Sequence, residues 1–327
     1  MDIKNKKIII TGGAGYIGCH VVEELLKSNY LVTVIDRLSF DANSLNSVKD
    51  HKNLTIIKED LRNLTNLEAH LNNAEAVVHL AALVGEAACK ISETDTISIN
   101  YDATIKLCNL ARKNKVKKFI FMSTASSYGV QDTSEIANEE TKLNPVSLYA
   151  KTKIDCENDL LKKFSDDIEI TIFRPSTVYG HSSRMRFDLI LNHLVLDAFL
   201  KKEIKVFGPE MVRPLMWVGE PARVYKKVIE SQDSKFRSQI FNMGYDKENY
   251  KKIDIAKLVQ SKFFPNINMD IIDKDKDLRS YRLDFSKMKK FFNLEPGSDL
   301  LNATKIIIDN INSKKYGDLE SKKYYNT

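Results

Sequence analysis

The sequence predicts an α/β protein, a doubly wound parallel sheet with helices on both faces followed by a smaller mixed α/β lobe. Three observations carry that expectation. Short β-branched apolar runs alternate with helical periodicity through the first third of the chain. Near-continuous apolar strands separated by helices belong in parallel sheets buried on both sides. A glycine-rich turn follows the first of these runs, and the alternation breaks after Pro175, where proline, glycine and basic residues cluster through 176–186. At roughly 150 residues per domain, 327 residues make two lobes.

In chain order, Lys7–Thr11 reads as a strand and 17–28 as a helix with Val21, Val22, Leu25 and Leu26 on its apolar side. Strands follow over 32–36, 54–58 and 76–80, a helix over 100–113 and a strand over 118–123. The helix after Pro145 and a strand over 169–174 continue the pattern. Beyond them the periodicity predicts a helix over 187–201, a loop over 208–214, a strand over 215–218, a helix over 220–232 and a strand over 239–244. Helices over 253–264 and 306–311 complete the list, with a polar tail from Ser313 expected to fray. The expected division is a first domain of residues 1–175, to which 215–243 returns, and a second lobe of 176–214 and 244–327.

Composition narrows the function classes. The chain is 43% hydrophobic and 29% charged, which excludes disorder and leaves ample material for a core. The formal net charge of +6 raises the question of a polyanion. Residues 1–246, however, carry 33 basic and 32 acidic side chains, whereas 247–327 carry 17 and 12. The excess thus lies in the last quarter, around the alternating run Asp273-Lys274-Asp275-Lys276-Asp277, a pattern of solvated faces rather than of nucleic-acid stripes. Nucleic acid is not expected as a partner. The four cysteines, at 19, 89, 108 and 156, form no Cys-x-x-Cys pair, and no His and carboxylate cluster has metal spacing. No apolar window approaches a membrane span or a secretory signal, so a cytoplasmic location is expected.

The segment Ile8-Ile9-Ile10-Thr11-Gly12-Gly13-Ala14-Gly15-Tyr16-Ile17-Gly18 runs strand, tight turn, helix. Gly12 permits the turn, Gly15 lets backbone approach a pyrophosphate and Gly18 lets helix pack on strand, with the helix N-terminus facing the phosphates. Asp36 ends the second strand about twenty residues later, where a carboxylate accepts hydrogen bonds from a ribose diol. This is the Rossmann-type arrangement. Asp36 favours NAD, since a 2′-phosphate would meet its charge, although Arg37 beside it offsets part of that repulsion. Further on, Leu148-Tyr149-Ala150-Lys151-Thr152-Lys153 places Tyr149 and Lys153 one helical turn apart on one face. A tyrosine with its pKa near 10 needs a neighbouring cation to act as a base at neutral pH.

Together these motifs resemble the extended short-chain dehydrogenase/reductase family, in its nucleotide-sugar epimerase/dehydratase branch, over nearly the whole chain. Thr11 to Gly18 is similar to its glycine fingerprint, including Tyr16 and Ile17. Asp60-Leu61-Arg62 is similar to its adenine-side motif, and His79-Leu80-Ala81-Ala82 to the end of its fourth strand. Ser123-Thr124-Ala125-Ser126-Ser127-Tyr128-Gly129 resembles the strip that supplies a third catalytic hydroxyl, here Thr124. Asn100 matches an asparagine on the helix beside the cofactor, and Arg174-Pro175-Ser176-Thr177-Val178-Tyr179-Gly180 the entry to the substrate lobe. The resemblance implies NAD as cofactor and a nucleotide-diphosphate sugar as substrate. Tyr149 would take the proton of a sugar hydroxyl, most often at C4, while hydride passes to the nicotinamide. Thr124 would hydrogen-bond that oxygen, and Lys153 would hold the nicotinamide ribose.

Departures from the family pattern sharpen the expectation. Sugar 4,6-dehydratases of this family place Asp-Glu directly after the catalytic Thr, and here Ala125 and Ser126 stand there, so dehydration is disfavoured. Thr177 replaces the usual asparagine of the substrate-lobe entry. Two segments, Leu83-Val84-Gly85-Glu86-Ala87-Ala88-Cys89 and Asp277-Leu278-Arg279-Ser280-Tyr281-Arg282, resemble a branch of bacterial capsule and lipopolysaccharide enzymes. The first expectation from that resemblance is oxidation at C4 of GDP-manno-heptose in surface-polysaccharide biosynthesis. A nucleotide-sugar 4-epimerase is its alternative, and a non-catalytic NAD sensor is disfavoured by the intact Tyr149 and Lys153. The substrate diphosphate calls for guanidinium groups, with Arg184, Arg186, Arg213, Arg279 and Arg282 as candidates. Glu86 and Ser126 are placed to contact the sugar. Family resemblance implies a homodimer through the helices around 100–113 and 149–162.

Overall fold

A computed structural model describes residues 5–63, 67–132, 135–274 and 279–326, with the side chains of Glu86 and Ala87 left aside. Seven parallel strands form the main sheet. In space they run Gln239–Met243, Glu169–Pro175, Lys118–Met122, Ala74–His79, Lys7–Thr11, Leu31–Asp36 and Leu54–Lys58. The order reverses beside Lys7–Thr11, which pairs with both Leu31–Asp36 and Ala74–His79. In such open sheets the crevice at the carboxyl ends of the strands near that reversal is where ligands bind.

The apolar runs are continuous, yet their side chains divide by alternation between two cores. Ile8, Ile10, Val32, Val34, Val78 and Ile120 face the helix Gly18–Lys27 and the helix Glu220–Glu230. Ile9, Ile35, Val77, Phe119, Ile170 and Ile172 face the helices Ala103–Lys113 and Leu148–Phe164. Fully burying each such side chain contributes about 1.5–3 kcal/mol relative to exposure, which is why a run of three isoleucines is sustained here. Leu54–Lys58 is half exposed because it is the edge strand.

The rest of the chain builds smaller sheets over one end of this layer. Thr177–Tyr179, Val212–Trp217 and Asn249–Lys251 form one, Glu203–Phe207 pairs with Asn268–Ile272, and Ile136–Ala137 pairs with Arg282–Leu283. Several sequence expectations need correction. The expected loop over 208–214 ends earlier, since Arg213 and Pro214 already lie in a strand, where Arg213 opposes Tyr250 and Pro214 sits beside a short antiparallel partner. Trp217, at the end of that strand, is half buried, with Gly219 under its ring. The helix expected from Asn100 begins with a wide π-turn over Ser98–Asp102. The last helix spans Leu300–Asn312, more than twice the expected stretch.

The tail does not fray. Tyr316 and Tyr324 are buried, and both rings meet Phe187 edge-on at 5.4 and 5.2 Å. The Phe187 N–H donates to the Tyr324 carbonyl at 3.1 Å. Two aromatic anchors, with Leu319 and Tyr325 packed beside them, thus hold an otherwise polar segment. Among the described residues, no helix is long and apolar enough to cross a membrane.

One buried carboxyl in the second lobe gives a prediction of its own. Glu248 accepts a hydrogen bond from Tyr179 at 2.9 Å, and its other oxygen has no partner among the described residues. Burial pushes its pKa up to about 7, the Tyr179 bond and Lys247 oppose this, and Glu220 and Asp299 add to it. The folded pKa thus lies above the unfolded one, so the fold loses stability as pH rises from the unfolded carboxyl pKa towards 7. The loss amounts to about 3 kcal/mol. Glu248→Gln is expected to flatten the fall in urea midpoint between about pH 4.5 and 7, and an unchanged slope would refute the assignment.

Candidate active site

A cavity of about 830 Å³ opens along the carboxyl edge of the main sheet. Gly12, Gly15, Tyr16, Ile17 and Gly18 form its floor. Gly12 has φ +72°, and a Cβ there would stand 2.7 Å from the Ala81 nitrogen, so the turn is open only to glycine. The Gly15 N–H closes the turn onto the Gly12 carbonyl at 3.0 Å. The helix Gly18–Lys27 that follows has no side-chain cap, and although the N–H groups of Cys19 and His20 bond back to the Gly15 and Ile17 carbonyls, its positive dipole end faces the cavity floor where an anion would sit. Tyr16 also ties this loop to the second lobe, because its hydroxyl donates to the Gly180 carbonyl and accepts from Asn192 at 3.0 Å.

Asp36 stands at the cavity wall with its carboxylate fixed by the N–H groups of Ala14 (3.0 Å) and Leu38 (2.8 Å). Burial raises its pKa while those bonds lower it. Each oxygen keeps a lone pair for a ribose hydroxyl. Arg37 reaches Asp60 at 3.6 Å, and Asp60 also takes the Arg62 guanidinium at 2.8 Å. The cation that would have relieved a 2′-phosphate is therefore turned towards a carboxylate. Asp60, Leu61, Leu80, Ala81 and Ala82 complete this wall. The loop residues, the uncapped helix end and Asp36 together fit a dinucleotide without a 2′-phosphate. Asn100 does not line the cavity. It is fully buried, and its amide brackets the backbone of Leu83, accepting at 2.8 Å and donating at 3.0 Å.

Opposite the glycine turn, Ser147 caps the helix Leu148–Phe164 by accepting the Ala150 N–H at 3.3 Å. This start presents Tyr149 and, one turn on, Lys153 to the cavity beside Ser123 and Thr124. Burial pushes the Tyr149 phenol up to about 12, while a hydrogen bond from the Thr124 side chain and the charges of Arg186 and Arg279 pull it down. Lys153 is nearly fully buried and lies over the Phe121 ring at 4.5 Å. It donates to the Met122 carbonyl at 2.8 Å, and burial lowers its pKa to about 8. A phenol and an ammonium on one dry helix face, with a hydroxyl bonded to the phenol, can move one proton at a defined point. His79, below them, is a packing residue. It bridges Thr11 (2.6 Å) and Thr104 (2.8 Å), and burial drops its pKa to about 3, so it is neutral.

The far end of the cavity is basic. Arg184, Arg186, Arg213 and Arg279 line it with Ser126 and Thr177. Arg279 donates to the Ser126 hydroxyl at 2.9 Å, and Arg213 donates to the Arg279 carbonyl and to that of Val212. Arg186 is gripped by Asp188 at 2.9 and 2.6 Å. Arg184 stacks on Phe40 at 4.2 Å and donates to Asn326 at 2.6 Å. Arg282 is not in the lining. It sits in the short strand Arg282–Leu283, which pairs with Ile136–Ala137. The Glu86 side chain, like Asp277 and Leu278 of the second branch motif, lies outside the described residues, and Lys90 is exposed.

Sequence reasoning missed several lining residues. Phe207, 48% exposed, ends the strand Glu203–Phe207 beside Lys205, and His193 and Lys252 are close by. An aromatic ring left half open at a strand end was the available signal. Asn326 arrives from the tail and also donates to the Val84 carbonyl at 3.4 Å. No local signal reports that contact. Among the described residues, no group of His, Cys, Asp and Glu is arranged to hold a metal.

The sequence pattern of the NAD dependent epimerase/dehydratase family matches residues 8–244. The chain belongs to that family. A UDP-glucose 4-epimerase of Bacillus subtilis is 37% identical over 175 residues, half of each chain. A UDP-glucuronate 4-epimerase of Thermodesulfobacterium geofontis is 28% identical over 302 residues, 88% of this chain and 90% of its own. The crystal structure of UDP-glucuronic acid 4-epimerase from Bacillus cereus, in complex with UDP-glucuronic acid and NAD, superposes with a TM-score of 0.84. It is 26% identical and covers 94% of this chain and 99% of its own. This member of the epimerase/dehydratase family is therefore an NAD-dependent enzyme that modifies nucleotide sugars.

Proposed function

We propose that this enzyme is a 4-epimerase of UDP-sugars. The observation that carries the reading is Tyr149, bonded to Thr124 and one turn from the buried Lys153, at the point where the dinucleotide floor meets the arginine-lined end of one cavity. The full-length likeness to 4-epimerases of UDP-sugars supports the choice of reaction and base. NAD, when bound, accepts a hydride from the sugar and returns it.

The chain's own residues supply the rest. Gly12, Gly15 and Gly18 admit the pyrophosphate, and Asp36 takes the adenine ribose. Lys153 keeps an ammonium beneath Tyr149 and favours the phenolate. Tyr149 removes the proton of the C4 hydroxyl and later gives one back, while Thr124 hydrogen-bonds the same oxygen. Arg213 and Arg279 meet the diphosphate, and Phe207 offers a face to the base. Ala125 and Ser126 carry no carboxyl, so water is not lost across C5 and C6. Residues 1–175, with the strand and helix between 220 and 243, hold NAD, and the remainder holds the sugar.

The purified enzyme should convert UDP-glucose or UDP-glucuronic acid to its C4 epimer with no net change in nicotinamide absorbance. A ketone that accumulates with NADH would overturn this reading. Were that ketone formed from a GDP-manno-heptose, the dehydrogenase expected from the branch motifs would replace it.

A further inference from the structure

The helix Leu148–Phe164 carries a third charged group on the face of Tyr149 and Lys153. Glu157 lies one turn beyond Lys153, and it is 2% exposed. It lines no part of the cavity. Its carboxylate accepts from the Ser123 hydroxyl and from both sides of the Arg174 fork, with Nε at 3.1 Å from each oxygen and Nη2 at 2.6 Å from one. Arg174 is itself buried and is held by the Tyr128 hydroxyl at 3.0 Å and the Glu139 carbonyl at 3.2 Å. An ion pair this deep costs several kcal/mol of desolvation per charge, and well-packed apolar residues often serve a fold as well.

The position of the pair is what distinguishes it. Ser123 stands between Met122, whose carbonyl takes the Lys153 ammonium, and Thr124, which bonds Tyr149. One carboxylate therefore grips the middle of the strip whose two ends hold the catalytic helix. We propose that Glu157, clamped by Arg174, is a positioning residue that keeps Lys153 charged and holds 122–124 in register with Tyr149. The inference rests on the proton-transfer roles given above to Tyr149 and Lys153.

The groups acting on Lys153 make the charge effect specific. On its own helix these are Cys156 and Glu157, and from the helix Glu86–Ile91 there is Cys89. His79, on the strand beneath, is neutral. Glu157 is the carboxylate among them, and it raises the lysine pKa against the effect of burial.

Glu157→Gln keeps the shape and removes the charge. The alkaline limb of the kcat profile, where Lys153 loses its proton, should move to lower pH by on the order of half a unit or more. The KM for nucleotide sugar should stay within about twofold, since neither partner touches the cavity. Because the single change leaves Arg174 buried and unpaired, the double variant Glu157→Gln with Arg174→Gln is measured beside it and should shift the same way. Folding and NAD content are checked by melting and absorbance. A merely structural pair would lower the active fraction at every pH and leave the limb in place, and that result in the folded double variant overturns the proposal. Full activity of Tyr149→Phe would instead overturn the reading on which it rests.

Discussion

Tyr149→Phe should retain the fold and its NAD yet lose about 10²–10⁴-fold in kcat, the usual worth of one well-placed proton-transfer group. The argument is geometric first. The ring of Tyr149 fills the wall of the cavity where the helix Leu148–Phe164 begins, and phenylalanine fills it equally well. Only the hydroxyl bonded to Thr124 disappears. Burial holds that phenol up at about 12, so at neutral pH the phenolate is scarce unless cations offset the burial. The Thr124 hydrogen bond and the guanidinium groups of Arg186 and Arg279 supply part of that offset. The base form is the deprotonated one, so kcat of the parent enzyme should climb with pH on the acid side and level off as the phenol ionises. Stopped assays at matched NAD content decide the point. A variant within about threefold of the parent would remove Tyr149 from the role.

The parts of this molecule that were legible in the sequence are those whose physics is local. The turn from Thr11 to Gly18, Asp36 at the end of its strand and the Tyr149 and Lys153 pair each depend on spacing within one or two elements. Strand runs were legible because a parallel strand buried on both faces cannot afford polar letters. What escaped depends on contacts between distant segments. Pro214 argues for a loop until its antiparallel neighbour, Asn249–Lys251, is known to be only three residues long. The two bonds by which Asn100 holds the backbone of Leu83, seventeen positions earlier, and its place behind the cavity lining rather than in it, are likewise invisible to spacing. The tail looks solvated by composition, yet two rings, Tyr316 and Tyr324, seat it against Phe187 and bring Asn326 to the cavity. Arg279 and Arg282 could not be ranked by spacing either, since Arg279 lies outside any regular element and Arg282 in a strand of only two residues, too short for a periodicity.

Gly18→Ala should be strongly damaging, although alanine is the better helix former by about 1 kcal/mol. A Cβ at Gly18 would overlap the Gly12 carbonyl and stand 2.7 Å from two backbone carbons of Gly13. Both neighbours are main chain, so no side chain can swing aside. The helix Gly18–Lys27 must lift instead, and it is pinned by Val21, Val22, Leu25 and Leu26 in the core it shares with the helix Glu220–Glu230. Overpacking of this kind costs about 1–3 kcal/mol, more than the propensity returns. The same displacement moves the positive end of the helix off the pyrophosphate position, so cofactor should be lost along with stability. Gly15→Ala separates the two effects. Its Cβ would stand 3.1 Å from the Gly12 carbonyl, tight but within reach of a small adjustment. That variant should melt near the parent and bind NAD less well, whereas Gly18→Ala should melt lower with or without added NAD. If Gly18→Ala keeps the parent's melting temperature and cofactor content, helix and turn are not packed as closely as this fold requires, and the glycine fingerprint answers to the phosphates alone.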